Sequence, residues 1–174
     1  MPRYVAFLRG VSPQNCRMAD LKRCLETAGY TQVRTVLASG NVAFNTRSAA
    51  IHSIESRIEK TIEAGLGRFF ATTVRSSEYL RALLAADPFD NFRLAANAKP
   101  VVTFLLRPVT SKVALPALPM AKDGVRILKR EGTEVFTAYT PNEKGPVFMT
   151  LLENTFGKDI TTRTWETVKK CAVA

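Results

Sequence analysis

The stretch VRTVLASGNVAFNT, residues 33–46, decides the fold. Two runs of alternating apolar residues meet at Ser39-Gly40-Asn41. Such alternation is the mark of half-buried strands, and Ser-Gly and Gly-Asn are hairpin dipeptides. Residues 33–38 and 41–45 are therefore read as a strand pair. Gly40 is the residue best able to take a positive φ in so tight a reversal.

Working outward from this hairpin gives a repeating order. Upstream, RYVAFLRG (3–10) is a short apolar strand that stops at Arg9-Gly10, and VSPQNCR is a polar loop. Met18, Leu21, Leu25 and Ala28 then fall on one face of a helix that Gly29 closes. Downstream, Ile51, Ile54, Ile58, Ile62 and Leu66 form the apolar stripe of a second helix, ended near Gly65 and Gly67. FFATTV (69–74) is a fourth strand. The order β-α-β-β-α-β predicts an α+β chain with a ferredoxin-like N-terminal half over residues 1–75.

Residues 76–174 are read as a second α+β subdomain. SSEYLRALLAA (76–86) is a helix capped by Ser76 or Ser77 and stopped by Asp87-Pro88. Residues 88–99 are a loop and 100–106 a strand. Residues 110–119 hold Pro116 and Pro119, so any helix there is short. GVRILKR and TEVFTAYT flank Glu131-Gly132 as a second hairpin. Pro146 opens a helix that runs to Gly157, and Trp165, Val168 and Ala172 line a terminal helix. This suggests a second, partial ferredoxin-like half followed by one extra helix.

The topology places the loop after the first strand and the turn at Gly40 at the same end of the sheet. Arg9, Gly10, Asn15 and Arg17 should therefore approach Ser39, Gly40 and Asn41. The first helix also begins there, and its leading N–H groups and positive dipole end favour an anion. Two readings follow. These residues hold a phosphate or carboxylate, or Asn15 and Ser39 satisfy local backbone and Arg9 pairs with a carboxylate. Arg163 and Trp165 are added as candidates that could turn toward that end. The indole either stacks on a ligand ring or anchors its helix in the core.

Charge and composition bound the function classes. The chain has 174 residues and a formal net charge of +10, with the excess spread evenly at +5 in each half. Such a surface favours anionic partners, or is simply basic. The three cysteines, Cys16, Cys24 and Cys171, are odd in number and lack metal-ligand spacing, which points to a reducing compartment. MPRYVAFLRG meets Arg9 before a signal-peptide core can form, and VVTFLL is too short to span a bilayer, so a cytoplasmic protein without membrane partners is expected. No metal or cofactor is expected. The one histidine, His52, lies off the apolar stripe of its helix and reads as a solvated side chain. No nucleophile elbow, P-loop or dinucleotide fingerprint occurs. Cys16 lies beside Arg17 and a helix start, both of which lower a thiol pKa, but no general base adjoins it.

YVAFLRGVS, RMADLKRCL, VRTVLASGNVAF and TTRTWETVKK together resemble the domain of unknown function 1697 family, across essentially the whole chain. The family pattern falls on Leu8-Arg9-Gly10, Met18, Leu21, Ser39-Gly40-Asn41, Val42, Phe44, Thr162-Arg163, Trp165 and Thr167. The resemblance implies a cytoplasmic α+β protein with two ferredoxin-like halves and no established activity. The chain departs from the pattern at Ser12, Pro13 and Gln14, where the family usually has Asn and a Gly pair, and at Thr164, often Asn. The first departure removes the flexible backbone of a glycine-loop phosphate cradle. Three function classes remain: a site for a small anionic ligand such as a nucleotide or phosphorylated metabolite, an RNA- or DNA-binding module, and a protein-interaction domain of unspecified oligomeric state. The sequence names no reaction.

Overall fold

An apolar run that alternates on neither face belongs at the centre of a sheet, and residues 3–8 form such a strand, β1 (Arg3–Leu8), in a computed structural model of the protein. The structure describes residues 1–107, 120–122, 124–141 and 147–174. After β1 come α1 (Met18–Thr27), β2 (Thr31–Val36), β3 (Asn41–Asn45), α2 (Ile51–Leu66) and β4 (Thr72–Ser76). The sheet order is β2-β3-β1-β4, with every neighbouring pair antiparallel. Tyr4, Ala6 and Leu8 enter a core with Leu21 and Leu25 of α1 and Ile54, Ile58 and Ile62 of α2. Val5 and Phe7, equally buried, point to the opposite face by the alternation of the strand. The helix α3 (Ser77–Ala86) packs on β1 and β4. Ser76 accepts the Tyr79 N–H at 3.1 Å and so caps it.

The second sheet contains β5 (Lys99–Leu105), β6 (Met120–Lys122), β7 (Val125–Glu131), β8 (Glu134–Tyr139) and β9 (Ile160–Thr164). Its order is β6-β7-β8-β5-β9, again antiparallel throughout. Leaving out β6, the order β7-β8-β5-β9 repeats that of the first sheet. α4 (Val147–Phe156) precedes β9, and α5 (Trp165–Ala172) follows it. The core of this sheet joins Leu105, Ile127, Val135, Leu152 and Ile160. The hairpin expected around Glu131-Gly132 is the β7–β8 pair.

β6 and β9 differ from the sequence expectation, which had no strand at either place. β6 is three residues long, and β9 reads Ile-Thr-Thr-Arg-Thr, a polar edge strand without apolar alternation. The short helix expected within 110–119 and the Pro146 helix start lie outside the described residues.

By backbone proximity the chain divides into Met1–Ala86 with Thr167–Ala174, and Asp87–Glu166. The division expected after residue 75 places α3 and the last eight residues elsewhere. Two contacts explain the difference: α3 packs on β1 and β4, and the Arg3 Nε of β1 donates to the Ala174 carbonyl oxygen at 2.7 Å.

Candidate functional site

The register of the first sheet brings the Arg9 loop to the Gly40 turn. Phe7 opposes Asn41, and the Leu8 N–H donates to the Gly40 carbonyl at 2.8 Å. Gly40 sits at φ +83°, and a Cβ on it would lie 2.8 Å from Val11 Cγ2 and 3.1 Å from Leu8 Cβ. Glycine is thus required there twice, once by the backbone angle and once by the side chain that closes over it. Val11 belongs to the loop after β1, so loop and turn are in direct contact.

Most polar groups of this corner are engaged locally. Asn15 accepts the Ser12 N–H at 2.9 Å and donates to the Gly10 carbonyl at 2.8 Å, which closes the loop on itself. Fully buried Asn41 donates to the Val36 carbonyl at 2.9 Å and to Ser39 Oγ at 3.0 Å, fixing the hairpin. Arg17 immediately precedes α1, and its Nε lies 2.9 Å from Asp20 Oδ2; Arg23 approaches the other carboxylate oxygen at 4.0 Å. The Asp20 carboxylate therefore already occupies the first turn of α1, where a negative charge is favoured. Arg9 is half-buried, and its N–H donates to the Ala71 carbonyl at 2.9 Å. Gly10 is exposed at φ +82°.

Cys16 departs from the lowered pKa that its neighbours suggest. Burial pushes its thiol up, and the nearby Asp20 charge and Cys24 push the same way. Arg17, the residue counted on to lower it, has turned to Asp20.

Arg163 and Trp165 belong to the unit Asp87–Glu166. Arg163 lies on β9 opposite Val102, and its Nη1 donates to the Thr162 carbonyl at 2.8 Å. Trp165 is buried, with its ring edge-on to Phe89 at a centroid distance of 5.3 Å. This is the geometry of a core anchor.

Sequence reading missed the polar cluster on α2. Glu55, 4% exposed, accepts the Val74 N–H at 2.9 Å, and Glu59 accepts the Thr72 N–H at the same distance. Arg75 Nη1 lies 4.0 Å from Glu55 Oε1, and exposed His52 Nδ1 lies 3.8 Å from Oε2. Burial raises the Glu55 pKa, against the opposing pull of the Val74 N–H, Arg75 and His52. The available signal was spacing: Glu55 and Glu59 are one helical turn apart, each directly after a buried Ile. A cleft of about 670 Å³ opens between α1 and α2, lined by Asp20, Arg23, Cys24, Thr27 and Thr61 among others. Among the described residues no group of three His, Cys, Asp or Glu side chains is placed to hold a metal ion, and no helix is long and apolar enough to cross a membrane.

A family model described as "Protein of unknown function (DUF1697)" matches residues 1–136, which include the whole Arg9–Gly40 corner. The chain belongs to the DUF1697 family. A solved structure similar to this DUF1697 chain is the conserved bacterial protein SP0830 from Streptococcus pneumoniae. The two are 18% identical and superpose with a TM-score of 0.69 over 99% of this chain and 97% of that one. At that identity the likeness shows the fold. No curated protein matches the sequence.

Proposed function

We propose that this DUF1697 chain binds a small anionic ligand, a nucleotide or phosphorylated metabolite, at the loop end of its first sheet. The supporting observation is the contact between Gly40 and Val11, which brings the Arg9 loop against the β2–β3 turn. In this reading the Arg9 guanidinium and the exposed backbone at Gly10 meet the ligand. Asn15, Ser39 and Asn41 hold loop and turn in place, and Asp20 restricts the ligand to the Arg9 side of the α1 terminus. Arg163 and Trp165 are not needed. The strand order β2-β3-β1-β4, with helices after β1 and β3, is the one a ferredoxin-like half would have. Free thiols at Cys16, Cys24 and Cys171 suit a cytoplasmic setting.

Thermal shift tests the reading. A ligand at a hundred times its Kd stabilises by about 2.7 kcal/mol, which for a chain of this size raises Tm by about 5–10 °C. Nucleotides, sugar phosphates and carboxylates are screened against the wild type and Arg9→Ala. The expected result is a shift with one class that Arg9→Ala abolishes. No shift with any of them rejects the reading. RNA or DNA binding that falls steeply with salt, without a small-ligand shift, selects the nucleic-acid alternative favoured by the net charge of +10.

A further inference from the structure

The two edges of the first sheet, β2 and β4, are finished differently. An edge strand turns alternate N–H and C=O groups away from its sheet and invites another strand. On β4 the outward N–H groups of Thr72 and Val74 are received by Glu59 and Glu55. On β2 the phase follows from the Leu8–Gly40 hydrogen bond. Gly40, Val42 and Phe44 turn their backbone groups to β1, so Asn41 and Ala43 turn theirs to β2. Their partners Val36 and Arg34 face β3 in return, and Thr35, opposite Val42, sends its N–H and C=O outward.

Thr35 opens into a groove of about 320 Å³ that it lines with Arg34, Val36 and Leu37, and with Lys170 and Val173 from the end of the chain. Two of these side chains are cationic and none is acidic. The Ala174 carbonyl oxygen at the same place is taken by Arg3. Leu37 is 50% exposed and Val173 73% exposed. Leu37 also holds φ +58°, a left-handed conformation that costs a branched residue about 1–2 kcal/mol. Strain and apolar exposure coincide at the mouth of one basic groove. Strain of this kind collects at ligand clamps and binding sites.

We propose that the β2 edge from Arg34 to Val36, with Leu37 of the following turn, accepts an extended acidic peptide of a partner protein as an added strand. The Thr35 backbone pairs with it, Arg34 and Lys170 meet its carboxylates, and Leu37 and Val173 cover an apolar residue between them. A second copy of this chain fits worse, because pairing two such edges sets the cations of one groove against those of the other. The accepted segment is short. A bulge between Thr31 and Arg34 interrupts the strand, and the Gln32 carbonyl is already taken by Arg3 Nη1 at 3.1 Å. Charge therefore supplies much of the affinity, and binding weakens as salt rises.

The probe is a fluorescein-labelled peptide of alternating glutamate and valine, followed by anisotropy, with an alternating lysine and valine peptide as its counterpart. Thr35→Pro removes the outward N–H while leaving the β2–β3 ladder intact, a placement edge strands tolerate. Circular dichroism and Tm establish that each variant is folded, and Arg34→Glu serves if Thr35→Pro is not. The acidic peptide is expected to bind the wild type, and to bind Thr35→Pro and Arg34→Glu at least tenfold more weakly. The basic peptide is expected not to bind the wild type. No binding at low salt overturns the proposal. So does undiminished binding to folded Thr35→Pro, which would mark a general polyanion surface. Wild-type dimers in sedimentation that Thr35→Pro dissolves would assign the edge to a second copy instead.

Discussion

The β4 edge of the first sheet is closed by two carboxylates of α2, whereas the β2 edge carries Arg34, Lys170 and a strained Leu37 along an open groove. Closing an edge with acceptors has a cost: Glu55 must be buried to reach the Val74 N–H, and burial raises its pKa. Beside the open edge, Leu37 of the following turn is exposed and left-handed. Two edges of one small sheet thus answer the same hydrogen-bonding demand in opposite ways, and the difference can be attacked from either side.

The largest effect is expected at Gly40, which holds β2 in register with β3 and places Val11 over the turn. Gly40→Ala meets both the +83° φ and the 2.8 Å approach of Val11, and should cost about 3 kcal/mol in urea unfolding. A loss below a few tenths would show that the turn relaxes freely. Next is Glu55→Ala, which leaves the buried Val74 N–H without its acceptor and should cost about 2 kcal/mol. Equal stability in the variant would mean the β4 edge needs no closure.

Glu55→Gln sharpens the same point through pH, since the amide oxygen still accepts the Val74 N–H but carries no charge. The folded-state pKa of Glu55 lies above its ordinary value, so the folded chain holds that proton more tightly than the unfolded chain. Its stabilising contribution is complete below the ordinary carboxyl value of about 4.3 and is lost as pH rises through the raised folded value. Wild-type stability should therefore fall relative to Glu55→Gln across that window; parallel stability–pH curves would contradict it. The smallest effect is expected on the open side. Leu37→Gly relieves the left-handed strain and should raise stability by up to about 1 kcal/mol, as read from the urea midpoint, while weakening acidic-peptide binding.

The order of strands and helices over residues 3–76 was legible from their periods, but β2 runs Thr31–Val36 and not 33–38, and β4 runs Thr72–Ser76 and not 69–74. Ile54, Ile58 and Ile62 repeat along one helix face, and β1 is apolar on both sides because both faces of the sheet are buried along it. β9 was not legible, since Thr161 to Thr164 lack the apolar alternation on which strand recognition depends. At the candidate site the approach of the loop after β1 to the Gly40 turn, through Val11, was legible from topology alone. The partners of each side chain were not. Asn15 and Asn41 are turn residues whether or not a ligand is present, and only coordinates reveal that their amides are engaged by nearby backbone and Ser39. Glu55 escaped notice because a carboxylate beside an apolar stripe reads as a solvated neighbour until an edge N–H is found in front of it.

Gly65 near the end of α2 faces Cys24 of α1, whose Sγ would stand 2.5 Å from any Cβ added there and donates to the Thr61 carbonyl at 3.5 Å. The spacing of the two helices is therefore gauged by one sulfur atom resting where a methyl group is missing. Any atom added on either side, a glutathione on the thiol or a methyl on the glycine, acts as a wedge. Cys24 is half-buried and lines the cleft between the two helices, so the fall in Tm on its alkylation would measure how closely the pair is gauged.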